Sequence, residues 1–514
     1  MRNVAPIITR VWPAGLLAVL LSLQFASANP QHSGRRENRT RQNIPNGEDE
    51  DKRDRELEAI VAALPGMSPE FGADVAIRVA ESNGILDRGM KIDLLTRAFH
   101  LAESAQEPVS RVAMAGTVDS RSGYRAMAFR LRLDKISLQS RAVNALLSVD
   151  AKRGRDLFEQ MTAPALSPLA CEEPLAYDVS LPYEVLGRLV AQGFTAKERA
   201  EGRHLALLRT YVGELRSHAQ VIPAVHLLQT AALSSGDETE LVAVFSHSLE
   251  RLRGDERSFA GAMSSEGLTA FGRLIIQLEA KEISTAGLLQ ALRTYLVANF
   301  GGTRCPEMAH SRNDGGLPSV IVSFNKELLP SIQKVQIRPI KAEEIRDFQI
   351  LQGPAVDSYW QSSPSRDLLI GCQKLRFGSN GEPYTLEQRN EFSWTAQLAD
   401  YVTALESWKP DNEVAADFFH EKSVLYTSLI DLVSGGPERL SIINSYVSFL
   451  DLNDLAEKSR IEWFMHVNDL IEVSHRWKET DRRELLKALL NSRDVNLNLY
   501  AQLDRRAMRN GVPK

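Results

Sequence analysis

Three cysteines in 514 residues are too few for a disulfide-stapled fold, and a chain this long buries enough surface to fold without one. Basic charge is not in excess either. The formal net charge is −5, which argues against general nucleic-acid binding, because that rests on basic surfaces. The apolar run at residues 11–25, broken by Pro13 and Gln24, falls short of the roughly 20 residues that span a bilayer. Signature motifs are missing too. There is no Gly-x-Ser-x-Gly, no phosphate-binding loop and no dinucleotide glycine motif, which removes the commonest serine-hydrolase and nucleotide readings. Ser323/Lys326 and Ser331/Lys334 fit Ser-x-x-Lys without the Ser-Asp-Asn and Lys-Thr-Gly elements that accompany it in penicillin-binding enzymes. His420-Glu421 does not extend to a zincin, since Val424 stands where the second histidine belongs.

What is present begins with an address. Arg2 and Arg10, the apolar run and Ala26-Ser27-Ala28 have the layout of a cleaved secretory signal, with cutting expected after Ala28. A secreted or periplasmic protein is expected. Residues 29–55 hold almost nothing apolar and cannot bury enough surface to offset their ordering entropy, so a disordered leader is expected there.

From residue 56 to about 300 the spacing is helical. Leu94, Leu95, Ala98, Leu101 and Ala102 recur three and four apart, as do Leu138, Ala142, Ala145 and Leu146, each set defining one helix face. A joint at Ser148-Val149-Asp150 leads to Arg153, Leu157 and Phe158, reading as a helical hairpin. The expected fold class is therefore all-α: serial helical hairpins similar in character to TPR or HEAT α-solenoids, then a Gly/Pro-rich connector at 301–340 and a Trp-rich helical region at 341–514. The TPR and ankyrin consensus residues are absent, so the likeness is architectural and names no family. Within the connector, residues 320–324 are the best candidate for a strand.

The cysteines Cys171 and Cys305 lie in Pro- and Gly-rich segments. An oxidising compartment favours pairing them, at something on the order of 4–5 kcal/mol in the chain-entropy account. The bland alternative is three unpaired thiols. Cys372 follows an apolar run after a plausible N-cap, Ser365, and reads as a buried, inert thiol.

Five tryptophans fall between residues 360 and 477. Trp360, Trp394 and Trp408 could line a groove for sugars or peptides, although such a stripe is more often core. The most suggestive polar cluster is Asp417, His420, Glu421 and Lys422. Glu421 and Lys422 fall where the apolar stripe of Val414, Phe418 and Leu425 should continue. Two carboxylates one turn apart with a histidine can do acid–base work or hold a metal; the structural alternative, an internal ion-pair network, is the one the pattern favours. The acid-x-x-His pairs Glu201/His204, Glu307/His310, Asp417/His420 and Glu472/His475 are the raw material of a metal site, but nothing in the sequence makes them converge. No metal and no cofactor is expected.

The reading as a whole is an exported helical-repeat scaffold that binds a protein or peptide partner, without nucleic acid and without an integral membrane segment once the signal is removed. The alternative is a secreted all-helical carbohydrate-active enzyme with Asp417 and Glu421 as paired carboxylates.

Overall fold

Many helix starts in this chain are set by side-chain oxygens that accept the amides left without partners in a first turn. Asp87 does this for helix Arg88–Ala102, Asp134 for Lys135–Val149 and Asp150 for Ala151–Phe158. Ser234 serves Ser235–Arg251, Ser264 serves Ser265–Ala280 and Ser362 serves Ser363–Arg376. The computed structural model describes residues 55–509 apart from 56, 83–86, 106–108, 110, 113–127, 162–163, 165, 170–174, 302, 305–316, 346–348, 351–358, 411–414 and 453–459. The signal, almost all of the expected leader, Cys171, Cys305 and the Glu307/His310 pair lie outside the described residues.

Among the described residues the fold is all helical, with only two-residue strands beside the helices. Arg111–Val112 pairs antiparallel with Leu175–Ala176, and Thr303–Arg304 pairs parallel with Gln349–Ile350. None of the helices described is long and apolar enough to cross a membrane. The strand expected at 320–324 is instead part of helix Ser319–Glu327. Its β-branched residues favour extension, but no strand among the described residues pairs with it. Burial of Val320, Ile321 and Phe324 follows helical spacing and decides the outcome.

Packing follows chain order. Helix Pro69–Glu81 packs on Arg88–Ala102, and both pack on Lys135–Val149. Lys135–Val149 packs on Ser180–Gln192, which packs on Val221–Thr230, then Ser265–Ala280, then Ser319–Glu327. A second succession, Arg203–Gly213, Ser235–Arg251 and Ala286–Phe300, runs beside it. Leu94, Leu95, Ala98 and Ala102, and Leu138, Ala142 and Leu146, are all buried in the core. Asp150 is at once the end of one helix and the cap of the next.

The remaining helices continue the chain of contacts. Ser363–Arg376 packs on Phe392–Ser407 and Ala415–Leu432, and Ala415–Leu432 on Pro437–Leu452 and Arg460–Ser474. Glu479–Leu490 and Val495–Arg509 follow, and Val495–Arg509 returns to Pro69–Glu81. One boundary differs from that read in the sequence: Ser362, not Ser365, caps the helix carrying Cys372. Thr385 forms a capping box on the short helix Leu386–Arg389, which precedes Phe392–Ser407. Cys372 is a free, buried thiol, pushed up by burial, which suits an inert cysteine.

Asp74 ties the ends together. It is fully buried and meets Arg78 Nε at 2.8 Å, Arg141 Nη2 at 2.5 Å and the Tyr500 hydroxyl at 2.6 Å. Burial pushes its carboxyl up, but Arg78, Arg141 and the Tyr500 hydrogen bond outweigh that and hold it at about 2. Phe71 adds ring contacts to Phe464 at 5.0 Å and to Tyr500 at 6.2 Å.

Candidate functional site

A charged residue in an apolar stripe must find partners or lose its charge, because an uncompensated buried ion costs several kcal/mol. On helix Ala415–Leu432, His420, Glu421 and Lys422 are buried and Asp417 is half-buried. Lys422 Nζ donates to the carbonyl oxygens of Trp408 at 2.8 Å and Glu406 at 3.3 Å. Those are end groups of helix Phe392–Ser407, where a cation is favoured by both the free carbonyls and the helix dipole. Its ammonium also lies 5.3 Å from the ring centres of Phe418 and Phe449. Burial lowers Lys422 to about 8, with Glu406 acting against the shift. Lys422 therefore ends a neighbouring helix.

His420 Nδ1 and His466 Nε2 are 3.1 Å apart, on helices Ala415–Leu432 and Arg460–Ser474. Tyr359 lies over His420 at 4.1 Å between ring centres, and Phe419 meets His466 edge-on at 5.7 Å. Burial drives both imidazoles down, His420 well below its ordinary value and His466 to about 3. Two neutral rings share one proton across this bond.

The acid-x-x-His pairs do not converge among the described residues. His204 faces the ring of Phe194 at 6.1 Å. His475 bonds Asp504 at 3.0 Å and lies 3.7 Å from Glu472. No group of three or more His, Cys, Asp or Glu among the described residues is placed to hold a metal ion. The tryptophans proposed as platforms are interior. Trp360 is 9 %, Trp394 5 % and Trp408 7 % exposed; the Trp394 indole donates to the Leu375 carbonyl at 3.0 Å, and Trp408 packs edge-on to Phe418 at 4.9 Å. Their faces are not offered to a ligand, which removes the support they lent to a sugar-binding groove.

Ser217, His218 and Asp255 do meet, and their bonds show what they do. Ser217 Oγ donates to Asp255 Oδ2 at 2.7 Å. His218 Nε2 bonds the Gly254 carbonyl oxygen, so that nitrogen carries the proton, and Nδ1 then accepts from the Tyr295 hydroxyl at 2.7 Å. The imidazole thus does not serve the serine as a base, and the trio is no catalytic triad. Asp255 Oδ1 also accepts from the amides of Leu169 at 2.9 Å and Ser258 at 3.3 Å. The network fixes the start of helix Glu256–Ala262.

That helix is one wall of a cleft of about 470 Å³. Ser258 and Gly261 line it on one side, and Tyr177, Asp178 and Ser180 on another. Ile222 and His226 of helix Val221–Thr230 and Glu266 and Arg273 of helix Ser265–Ala280 complete it. Asp178 also lines a smaller cavity of about 170 Å³ with Arg130 and Arg132. Gly267 lets the walls meet: a Cβ there would lie 2.0 Å from the Ala262 carbonyl oxygen. Sequence reasoning did not find this cleft, because its polar residues come from segments nearly 100 positions apart with no shared motif. The turn residues at Gly254-Asp255 and Ser264-Ser265-Glu266-Gly267 were its only local trace. No family model matches the chain, and no curated protein or solved structure is significantly similar to it.

Proposed function

We propose that this protein is an exported helical scaffold that binds a peptide or a segment of a partner protein in the cleft between helices Ser180–Gln192, Val221–Thr230 and Ser265–Ala280. The observation that carries the reading is the cleft itself. Its volume falls within the range of ligand pockets, and its lining mixes apolar Ile222 and Ala270 with polar Ser180, His226, Glu266 and Arg273. The two neighbouring successions of helices support a degenerate solenoid in which one row presents the cleft. The secretory layout at the start of the chain supports a partner outside the cytoplasm, where Cys171 and Cys305 would pair.

The test uses a cleft-filling variant. Gly261 lines the cleft and an added Cβ there meets nothing within 4 Å, so Gly261→Phe starts its side chain in open space at the cleft wall. Affinity selection from a randomised peptide library should enrich ligands on the wild type whose binding falls at least tenfold on Gly261→Phe, with melting unchanged. Peptides that bind both proteins equally, or no enrichment at all, would refute the assignment.

A further inference from the structure

Asparagine followed by glycine occurs at Asn46, Asn83, Asn380 and Asn510, and of these pairs only Asn380-Gly381 lies among the described residues. It sits in the turn between helix Ser363–Arg376 and the short helix Leu386–Arg389. Backbone bonds close that turn. The Gly381 amide donates to the Gly378 carbonyl oxygen at 2.9 Å, the Gly378 amide to that of Glu382 at 2.8 Å, and the Tyr384 amide to that of Arg376 at 3.1 Å. The Asn380 side chain takes part as well, its Oδ1 accepting the Glu382 amide at 3.1 Å. A bond to the residue two places ahead folds the asparagine side chain back over the peptide between them. That brings Cγ close to the Gly381 nitrogen, and the donated hydrogen polarises the carbonyl to which Cγ belongs. Gly381 has φ +77°, and an added Cβ there would meet nothing within 4 Å, so the space beside its nitrogen is open. Both residues are exposed, which gives water and hydroxide access to the pair.

We propose that Asn380 is a site of self-modification, converted to aspartate and isoaspartate by its own backbone with water as the co-reactant. Hydroxide takes the Gly381 amide proton, and the nitrogen forms a bond to Cγ of Asn380. The Cγ–Nδ2 bond breaks, and ammonia leaves with a proton from water, closing a five-membered cyclic imide. Water then opens one of its two carbonyls. Attack at the side-chain carbonyl gives an aspartyl residue; attack at the main-chain carbonyl gives an isoaspartyl residue, whose chain runs through Cβ and Cγ. Nothing is oxidised or reduced. The Gly381 bond to Gly378 opposes the first step, but at an exposed turn water can stand in for that acceptor. Either product sets a new carboxylate beside Glu382. The isoaspartyl form also adds a methylene to a backbone turn held by the bonds above. This inference is independent of the cleft.

The test holds the full chain at pH 8 and at pH 6, below its melting temperature, beside a synthetic peptide of residues 377–389. Trypsin releases the same segment from the protein, between Arg376 and Arg389. Mass spectrometry reads the exchange of amide for acid at Asn380, and an isoaspartyl methyltransferase reads the isoaspartyl share. Conversion in the folded chain should run within about tenfold of that in the free peptide, be faster at pH 8 than at pH 6, and yield both products. Asn380→Gln should abolish the change in this segment. Conversion slower than in the peptide by more than that margin would show that the turn protects Asn380 and would overturn the proposal. Aspartate alone, or a rate no higher at pH 8, would exclude attack by the Gly381 nitrogen and overturn it as well.

Discussion

A histidine pair sealed from water makes folding sensitive to acid. Unfolded histidine takes up its proton near pH ~6.5, whereas burial lowers His420 and brings His466 to about 3. Below about pH 6.5 the unfolded chain therefore binds protons that the folded pair refuses, and stability falls as pH drops toward 3. Asp469, raised to about 6 by burial, acts in the opposite sense, so the difference between variant and wild type carries the test. His466→Gln should give a shallower fall of melting temperature between pH 6.5 and 4 than wild type. Parallel curves would mean that the pair does not set the acid limb. The oddity of this helix was legible, since Glu421 and Lys422 interrupt an apolar stripe. Their neighbours were not. The two carbonyls that accept from Lys422 lie 14 and 16 residues back, and His466 is 46 positions from His420.

At the level of elements, close approach matters more than propensity. Only Met263 and Ser264 separate helix Glu256–Ala262 from Ser265–Ala280, and the reversal works only because position 267 has no side chain. Gly267→Ala would set a methyl 2.0 Å from the Ala262 carbonyl oxygen and 3.2 Å from Ile222 Cδ1. The backbone must shift, so the substitution should destabilise by about 1–3 kcal/mol despite alanine's better helix propensity. Urea unfolding reads the loss; a neutral or stabilising result would mean the turn is looser than described. Helix faces such as Leu94 to Ala102 were readable because burial at three- and four-residue spacing is a local pattern. Residues 320–324 misled for the same reason: Val-Ile-Val is locally strand-like, and only the burial of Phe324 with Ile321, three residues apart, reveals a helix.

Across the whole molecule, helices Pro69–Glu81 and Val495–Arg509 depend on each other. Asp74 and Tyr500 are 426 positions apart, a separation at which no sequence pattern speaks, so this contact was not legible at all. Because its partners hold Asp74 near 2, its ionised form contributes about 2 kcal/mol above pH ~4, and the contribution is lost as pH falls through 2. Asp74→Asn leaves Arg78 and Arg141 without their counter-charge and should cost about 3 kcal/mol, the lower end for a broken buried pair because both arginines reach solvent. Hydrogen exchange should then quicken in Pro69–Glu81 and Val495–Arg509 together. Faster exchange in only one of them would show that the ends are not coupled through Asp74.

The same method, applied to the wild type with and without a library-selected peptide, tests the function assigned to the cleft most directly. The account predicts slowed exchange at residues 176–181, 219–226 and 258–273, with helix Ala415–Leu432 unchanged. Protection on Ala415–Leu432, around Asp417, His420 and Glu421, with none at the cleft would contradict it and return the binding site to the buried polar cluster.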